Sequence, residues 1–109
     1  MVRDNCWGGI FVVESISSAE FLLLLQQGSV NVLDVREEDE YQQHHIPNAI
    51  NFPVSEMGAR VDELDQNELY YVICRSGSRS FTATEFLAQL HFDVINVLGG
   101  MNQIANEVA

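Results

Sequence analysis

Lysine is absent from this 109-residue chain: its five cationic side chains are all arginine, set against 16 Asp and Glu. The formal net charge is −11. A field of that sign excludes non-specific binding to nucleic acid or to an anionic membrane surface. Only two cysteines occur, Cys6 and Cys74, far apart and without a CxxC or Cys/His ligand spacing. That excludes a disulfide framework and a cysteine-based metal centre. A single Cys6–Cys74 bridge stays open on sequence alone, but a reducing, cytoplasmic setting is the simpler expectation. Long apolar runs are missing too. Stretches such as Phe21 to Leu25 fall far short of the ~20 residues that span a bilayer, so no membrane segment is expected. Residues Met1 to Cys6 carry an early Asp and no apolar stretch, so a secretory signal is not expected either. Linkers, repeats and low-complexity tracts are likewise lacking, and the length suits one domain spanning residues 1–109. The 47% hydrophobic content is that of a globular chain with a modest core.

What is present alternates between strand and helix patterns. Ile10 to Val13 is a β-branched and aromatic run, expected as the first strand. Ser17 and Glu20 form a capping-box pair opening a helix through Gln27, which Gly28 ends. Its leucines, Leu22 to Leu25, are expected to be buried on most sides. Val30 to Val35 reads as a strand covered on both faces. The acidic stretch Glu37–Glu40 starts a short helix running to about Gln43, and Pro47 lies beyond it. Ala49 to Asn51 is a short strand. Residues 55–66 hold one or two short helices, with Met57, Val61 and Leu64 at near-helical spacing. Leu69 to Ile73 is the clearest strand and runs directly into Cys74-Arg75-Ser76-Gly77-Ser78-Arg79. An amphipathic helix follows, with Ala83, Phe86, Leu87 and Leu90 at i, i+3, i+4, i+7. Phe92 to Leu98 is the last strand, and Gly99-Gly100 turns into a terminal helix. This alternation predicts an α/β fold with a parallel sheet covered by helices on both faces. In such folds the site lies at the carboxyl ends of the strands, where Cys74 falls.

The Cys74 loop has the makings of an anion cradle. Successive backbone N–H groups between a strand and a helix N-terminus can converge as a nest, with the helix dipole behind them. Gly77 supplies backbone freedom, Ser76 and Ser78 add hydroxyl donors, and Arg75 and Arg79 add charge. A thiol at such a mouth has a lowered pKa and is a candidate nucleophile. A buried structural thiol among surface charges is the plainer alternative. The Arg, Ser and Gly residues packed around it favour the functional reading.

The loop Cys74-Arg75-Ser76-Gly77-Ser78-Arg79-Ser80 resembles the CRxGxRS active-site loop of single-domain rhodanese-like sulfurtransferases. Asp34-Val35-Arg36, Glu40-Tyr41 and His45-Ile46-Pro47-Asn48-Ala49-Ile50-Asn51 resemble that family's DVR…EY…GHIPGAINI stretch. Gly99-Gly100-Met101 resembles its closing GGM segment. The match runs over residues 16 to 107. His44 and Asn48 stand where the family has glycine, and Asn48 also tolerates left-handed backbone angles. Ile104 or its neighbours replace a frequent Trp near the C-terminus. The only tryptophan, Trp7, lies instead near the N-terminus and is expected against the sheet edge.

The resemblance implies a five-stranded parallel sheet flanked by helices on both faces. It implies a sulfurtransferase in which Cys74 takes the outer sulfur of thiosulfate or a persulfide as its own persulfide, then yields it to cyanide or a thiol. A protein sulfur carrier is a conceivable acceptor. Arg75, Ser76, Gly77, Ser78 and Arg79 would bind the substrate, with Asp34, Arg36 and Ser80 in support. No cofactor or metal is implied. Arg36 is expected to pair with Glu40 or Glu37, and His45 to be a hydrogen-bonded turn residue before Pro47. Cys6 is expected to be a bystander. Two other readings compete. One is a non-catalytic or regulatory rhodanese-like binding module, in which the cysteine is often replaced. The other is an arsenate reductase or phosphatase of the related fold, whose loop sets five residues between Cys and Arg. Here four residues separate Cys74 from Arg79.

Overall fold

The computed structural model describes residues 6–7 and 10–108. Two short strands, β1 (Cys6–Trp7) and β2 (Ile10–Phe11), pair with each other antiparallel. The main sheet begins with β3 (Ser15–Ile16). After it come helix α1 (Ser18–Gln27), β4 (Asn31–Asp34), α2 (Glu38–Gln43) and β5 (Ile50–Asn51). A 3-10 turn, the short α3 (Met57–Arg60) and a second 3-10 turn lead to β6 (Leu69–Ile73). The chain closes with α4 (Ser78–Gln89), β7 (Asp93–Val97) and α5 (Gly100–Val108). The main sheet has five parallel strands in the order β3-β7-β6-β4-β5. The expected first strand, Ile10 to Val13, is therefore displaced: Ile10–Phe11 belongs to the separate β1–β2 pair, and Ser15–Ile16 enters the sheet. The expectations for Cys6 and for the Trp7 ring concern side chains outside the described ones.

Strand residues alternate between two cores. Leu33, Val35, Tyr70, Val72, Cys74 and Val94 face α4 and the 52–64 segment, meeting Phe52, Met57, Ala83 and Leu87. Val32, Tyr71, Ile73 and Val97 face the other way, meeting Phe21 of α1 and Ile104 of α5. Both faces of β4 and β6 are covered, which is why these strands read as nearly unbroken apolar runs.

Helix α1 is capped as expected: Glu20 N–H donates to Ser17 Oγ at 3.1 Å. Its leucines depart from expectation. Phe21 is the fully buried apolar residue, Leu22, Leu24 and Leu25 are half-buried, and Leu23 is exposed. Four consecutive positions fan out over about 300° of the helix circumference, so a helix resting on a sheet with one face must turn one of them to solvent. Helix α4 also buries a face that differs in part from the expected one. It buries Ser80, Ala83, Thr84, Leu87 and Ala88, leaving Phe86 and Leu90 exposed. Ala83 and Leu87 lie inside as expected, while the small polar residues Ser80 and Thr84, not Phe86 and Leu90, complete the inner stripe. Thr84 reaches it by donating its hydroxyl to Ser80 O at 2.7 Å. Among the described residues, no helix is long and apolar enough to cross a membrane.

Candidate active site

Strand order reverses between β4 and β6. The chain leaves β4 toward β5 on one side and leaves β6 toward β7 on the other. Carboxyl ends at such a switch point diverge and open a crevice. The segments after β4 and β6 both run into it.

Cys74 follows β6 directly and is fully buried, with a free thiol. Two backbone donors and one hydroxyl surround its sulfur. Gly77 N–H donates to Sγ at 3.1 Å and Ser80 N–H at 3.3 Å, while Ser80 Oγ lies 3.3 Å away. In the thiol form S–H donates to Ser80 Oγ, and Ser80 Oγ donates to Gly77 O at 3.1 Å. Burial pushes the Cys74 pKa up. The Ser80 hydroxyl and the N–H groups of Ser80, Gly77 and Ser76 outweigh it, and the pKa settles below the ordinary thiol value. The expected nest is therefore present, but its hydroxyl comes from Ser80. Ser76 and Ser78 instead face each other, Oγ to Oγ at 3.3 Å, on the exposed side of the loop.

Two glycine contacts hold the loop's curvature. Gly77 has φ of 101° and lies so close to Gly99 N that an added Cβ would sit 3.1 Å from it. Gly100, at φ 57°, packs against the Cys74 and Arg75 carbonyls. Just beyond it, Met101 N–H donates to Cys74 O at 2.8 Å and Asn102 N–H to Arg75 O at 2.9 Å. The free N–H groups of the α5 N-terminus thus satisfy two loop carbonyls, turning the loop's own N–H groups toward the sulfur.

The segment after β4 supplies a buried ion pair. Asp34 and Arg36 are both essentially inaccessible. Arg36 Nε donates to Asp34 Oδ1 at 2.9 Å and Nη2 to Oδ2 at 2.7 Å. Nη2 also donates to His44 O at 2.8 Å, tying the β4 end to the end of α2. Arg36 therefore does not pair with Glu40 or Glu37 as expected. An aspartate two residues away on the same turn offers a bidentate contact without ordering another segment. His45 is a turn residue as expected: its Nδ1–H donates to Tyr41 O at 2.8 Å, and its ring stacks on Tyr41 at 3.8 Å. Asn48 takes the left-handed φ of 68°.

Glu40, freed from Arg36, reaches across the crevice. Arg79 Nη1 donates to its Oε1 at 2.8 Å and Nη2 to Oε2 at 3.1 Å. Arg75 Nε and Nη2 donate to Oε2 at 3.1 and 2.9 Å. One carboxylate thus bridges both loop arginines. The Arg79 contact, with help from Arg75 and the Glu37 backbone and against some burial, holds the Glu40 pKa down to about 2. Sequence reading missed this contact. Glu40 showed as a helix-start acid and a possible partner of Arg36, and nothing in the local pattern marks a partner 35 or 39 residues away. Among the described residues there is no group of His, Cys, Asp and Glu able to hold a metal.

A buried thiol in a loop of backbone donors, after the central strand of a five-stranded parallel sheet, defines a recognisable class. The chain matches the Rhodanese-like domain model over residues 17–107 and belongs to that family. Its curated relatives include the putative sulfur carrier protein YrkF of Bacillus subtilis, 45% identical over 67% of this chain and 40% of the relative. The putative sulfurtransferase YtwF of the same organism is 36% identical over 64% of this chain and 68% of its own length. The thiosulfate sulfurtransferase PspE of Escherichia coli is 35% identical over 67% and 72%. The chain thus spans well under half of YrkF but about two thirds or more of the two smaller proteins. Among solved structures, SSP1007 of Staphylococcus saprophyticus superposes with a TM-score of 0.82 at 32% identity, covering 87% of this chain and 96% of that one. A rhodanese-related protein of Thermoplasma volcanium gives 0.80 at 37% identity, over 86% and 92%.

Proposed function

We propose that this domain is a sulfurtransferase that carries sulfane sulfur on Cys74. The observation that carries the reading is the convergence of Gly77 N–H, Ser80 N–H and Ser80 Oγ on one buried sulfur, within 3.3 Å. Donors so placed favour the thiolate, which is the nucleophile. They are equally available to the negative charge of a persulfide. The names borne by YtwF, PspE and YrkF support the same chemistry.

The reaction runs by double displacement. The Cys74 thiolate attacks the outer sulfur of thiosulfate and forms a new S–S bond. The old S–S bond breaks, and sulfite leaves with its electron pair. A persulfide donor reacts alike and releases a thiolate. An acceptor, cyanide or a thiolate, then attacks the outer sulfur of the Cys74 persulfide and restores the Cys74 thiolate. No net oxidation occurs and no metal takes part in these steps. Arg75, Ser76, Gly77, Ser78 and Arg79 form the donor-binding loop, while Asp34, Arg36 and Ser80 hold it in shape. The short span from Cys74 to Arg79 suits a single sulfur better than a tetrahedral oxyanion, which disfavours phosphatase or arsenate reductase chemistry.

Intact mass after incubation with thiosulfate tests this. The expected result is a gain of about 32 Da on the wild type, absent in Cys74→Ser and reversed by cyanide, as a covalent sulfur intermediate requires. No adduct from thiosulfate, an alkylthiosulfonate or a persulfide, on folded protein with reduced Cys74, would overturn the reading and leave a binding module.

A further inference from the structure

Cation-lined sites draw anionic donors, yet here both loop guanidiniums are already committed. Five N–H donors reach the Glu40 carboxylate: two from Arg75, two from Arg79 and the Glu37 backbone N–H at 3.2 Å. The side chain is 16% exposed, and its carboxylate is also held as part of the α2 capping box. It is therefore not a loose surface acid that an incoming anion simply brushes aside. With Cys74 as thiolate, the four charges at the loop sum to zero, inside a chain of net charge −11.

We infer that Glu40 is a specificity-determining residue: by neutralising Arg75 and Arg79 it disfavours the dianion thiosulfate and selects sulfane donors of lower negative charge. The inference rests on the sulfurtransferase reading and names its donor class. The favoured donors carry one negative charge or none near the transferred sulfur, as the terminal persulfide of a thiol does. The physical basis is Coulombic. A fixed carboxylate at the mouth raises the energy of a bound anion in proportion to that anion's charge. Removing it should therefore help a dianion twice as much, on a logarithmic scale, as a monoanion.

Two donors of matched chemistry and different charge make the test. Thiosulfate carries two charges. An alkylthiosulfonate carries one, and delivers its outer sulfur to Cys74 with a sulfinate leaving in place of sulfite. Glu40→Gln removes the charge and keeps an oxygen able to accept the Glu37 N–H, so the α2 start survives. Glu40→Asp keeps the charge and shortens the reach. The rate constant for Cys74 persulfidation is read by intact mass at fixed ionic strength. Glu40→Gln should raise the thiosulfate rate constant about tenfold and the alkylthiosulfonate one about threefold, the square root of that factor. Glu40→Asp should move the ratio between the two donors far less than Glu40→Gln does. Equal factors for both donors, or a fall for both in a variant of unchanged circular dichroism, would overturn the charge-selection role while leaving sulfur transfer standing. Absence of any adduct in the wild type with either donor would instead remove the sulfurtransferase reading beneath it.

Discussion

Ser80 has one hydroxyl proton and two neighbours that can use it. In the thiol form Ser80 Oγ donates that proton to Gly77 O, 3.1 Å away, while the Cys74 S–H points at Ser80 Oγ. Once Cys74 ionises, the hydroxyl can turn to the sulfur and become a charge-assisted donor, about 1.5–3 kcal/mol in strength. Burial acts against the thiolate throughout, so the donors must outweigh it. In Ser80→Ala the backbone N–H stays and the hydroxyl goes. The alkylation rate of Cys74 follows the thiolate, so its pH profile should keep its shape and move to higher pH. A midpoint unmoved within about 0.3 units would show that the backbone N–H groups alone set it. The sequence made Cys74 and its loop legible, because Arg, Ser and Gly at that spacing have few other uses. Which serine turns inward was not legible from the loop itself. Position in the first turn of α4 decides it: Ser80 shares a helix face with Ala83, Thr84 and Leu87, and that face is the buried one.

Three elements meet at the loop, and one of them acts through its backbone alone. The N-terminus of α5 places Met101 and Asn102 N–H groups on the Cys74 and Arg75 carbonyls. This docking needs Gly100. A Cβ there would overlap the Cys74 carbonyl and lie 2.7 Å from Arg75 O, at a φ of 57° that side chains other than glycine adopt with strain. Both obstacles are backbone atoms and cannot swing away. Gly100→Ala should therefore destabilise the fold by about 2–4 kcal/mol, read as a lower midpoint in denaturant unfolding. It should also slow Cys74 persulfidation in the molecules that remain folded, since the loop carbonyls lose their anchors. A change under about 0.5 kcal/mol would mean that α5 shifts freely and does not shape the loop. The sequence showed Gly99-Gly100 as a turn before a helix. It did not show where the turn docks, because that depends on β7 lying next to β6 in the sheet. The buried face of α4 has the same origin: apolar spacing marks a helix, but the neighbouring sheet chooses the face.

At the scale of the whole molecule, strand–helix alternation made the parallel sheet legible, while the order β3-β7-β6-β4-β5 was not. That order is what brings Glu40, after β4, against Arg75 and Arg79, after β6, and so closes the one local reversal of sign in an acidic chain. The misplaced first strand has a simpler cause. Ile10–Phe11 has better strand chemistry than Ser15–Ile16, but only the latter lies beside β7. The charge consequence extends beyond the site. With the loop arginines neutralised locally, an approaching dianion meets a net charge of −11 at long range and little attraction at short range. Surface repulsion is screened by salt, with a Debye length of about 8 Å at an ionic strength of about 0.15 M. The second-order rate constant for persulfidation by thiosulfate should therefore be small at low salt and rise as ionic strength approaches about 0.15 M. Charged-ligand sites whose local cations are unpaired behave in the opposite sense. A rate constant that falls steadily with added salt would place Arg75 and Arg79 in control of capture. It would mean that Glu40 releases them whenever an anion arrives.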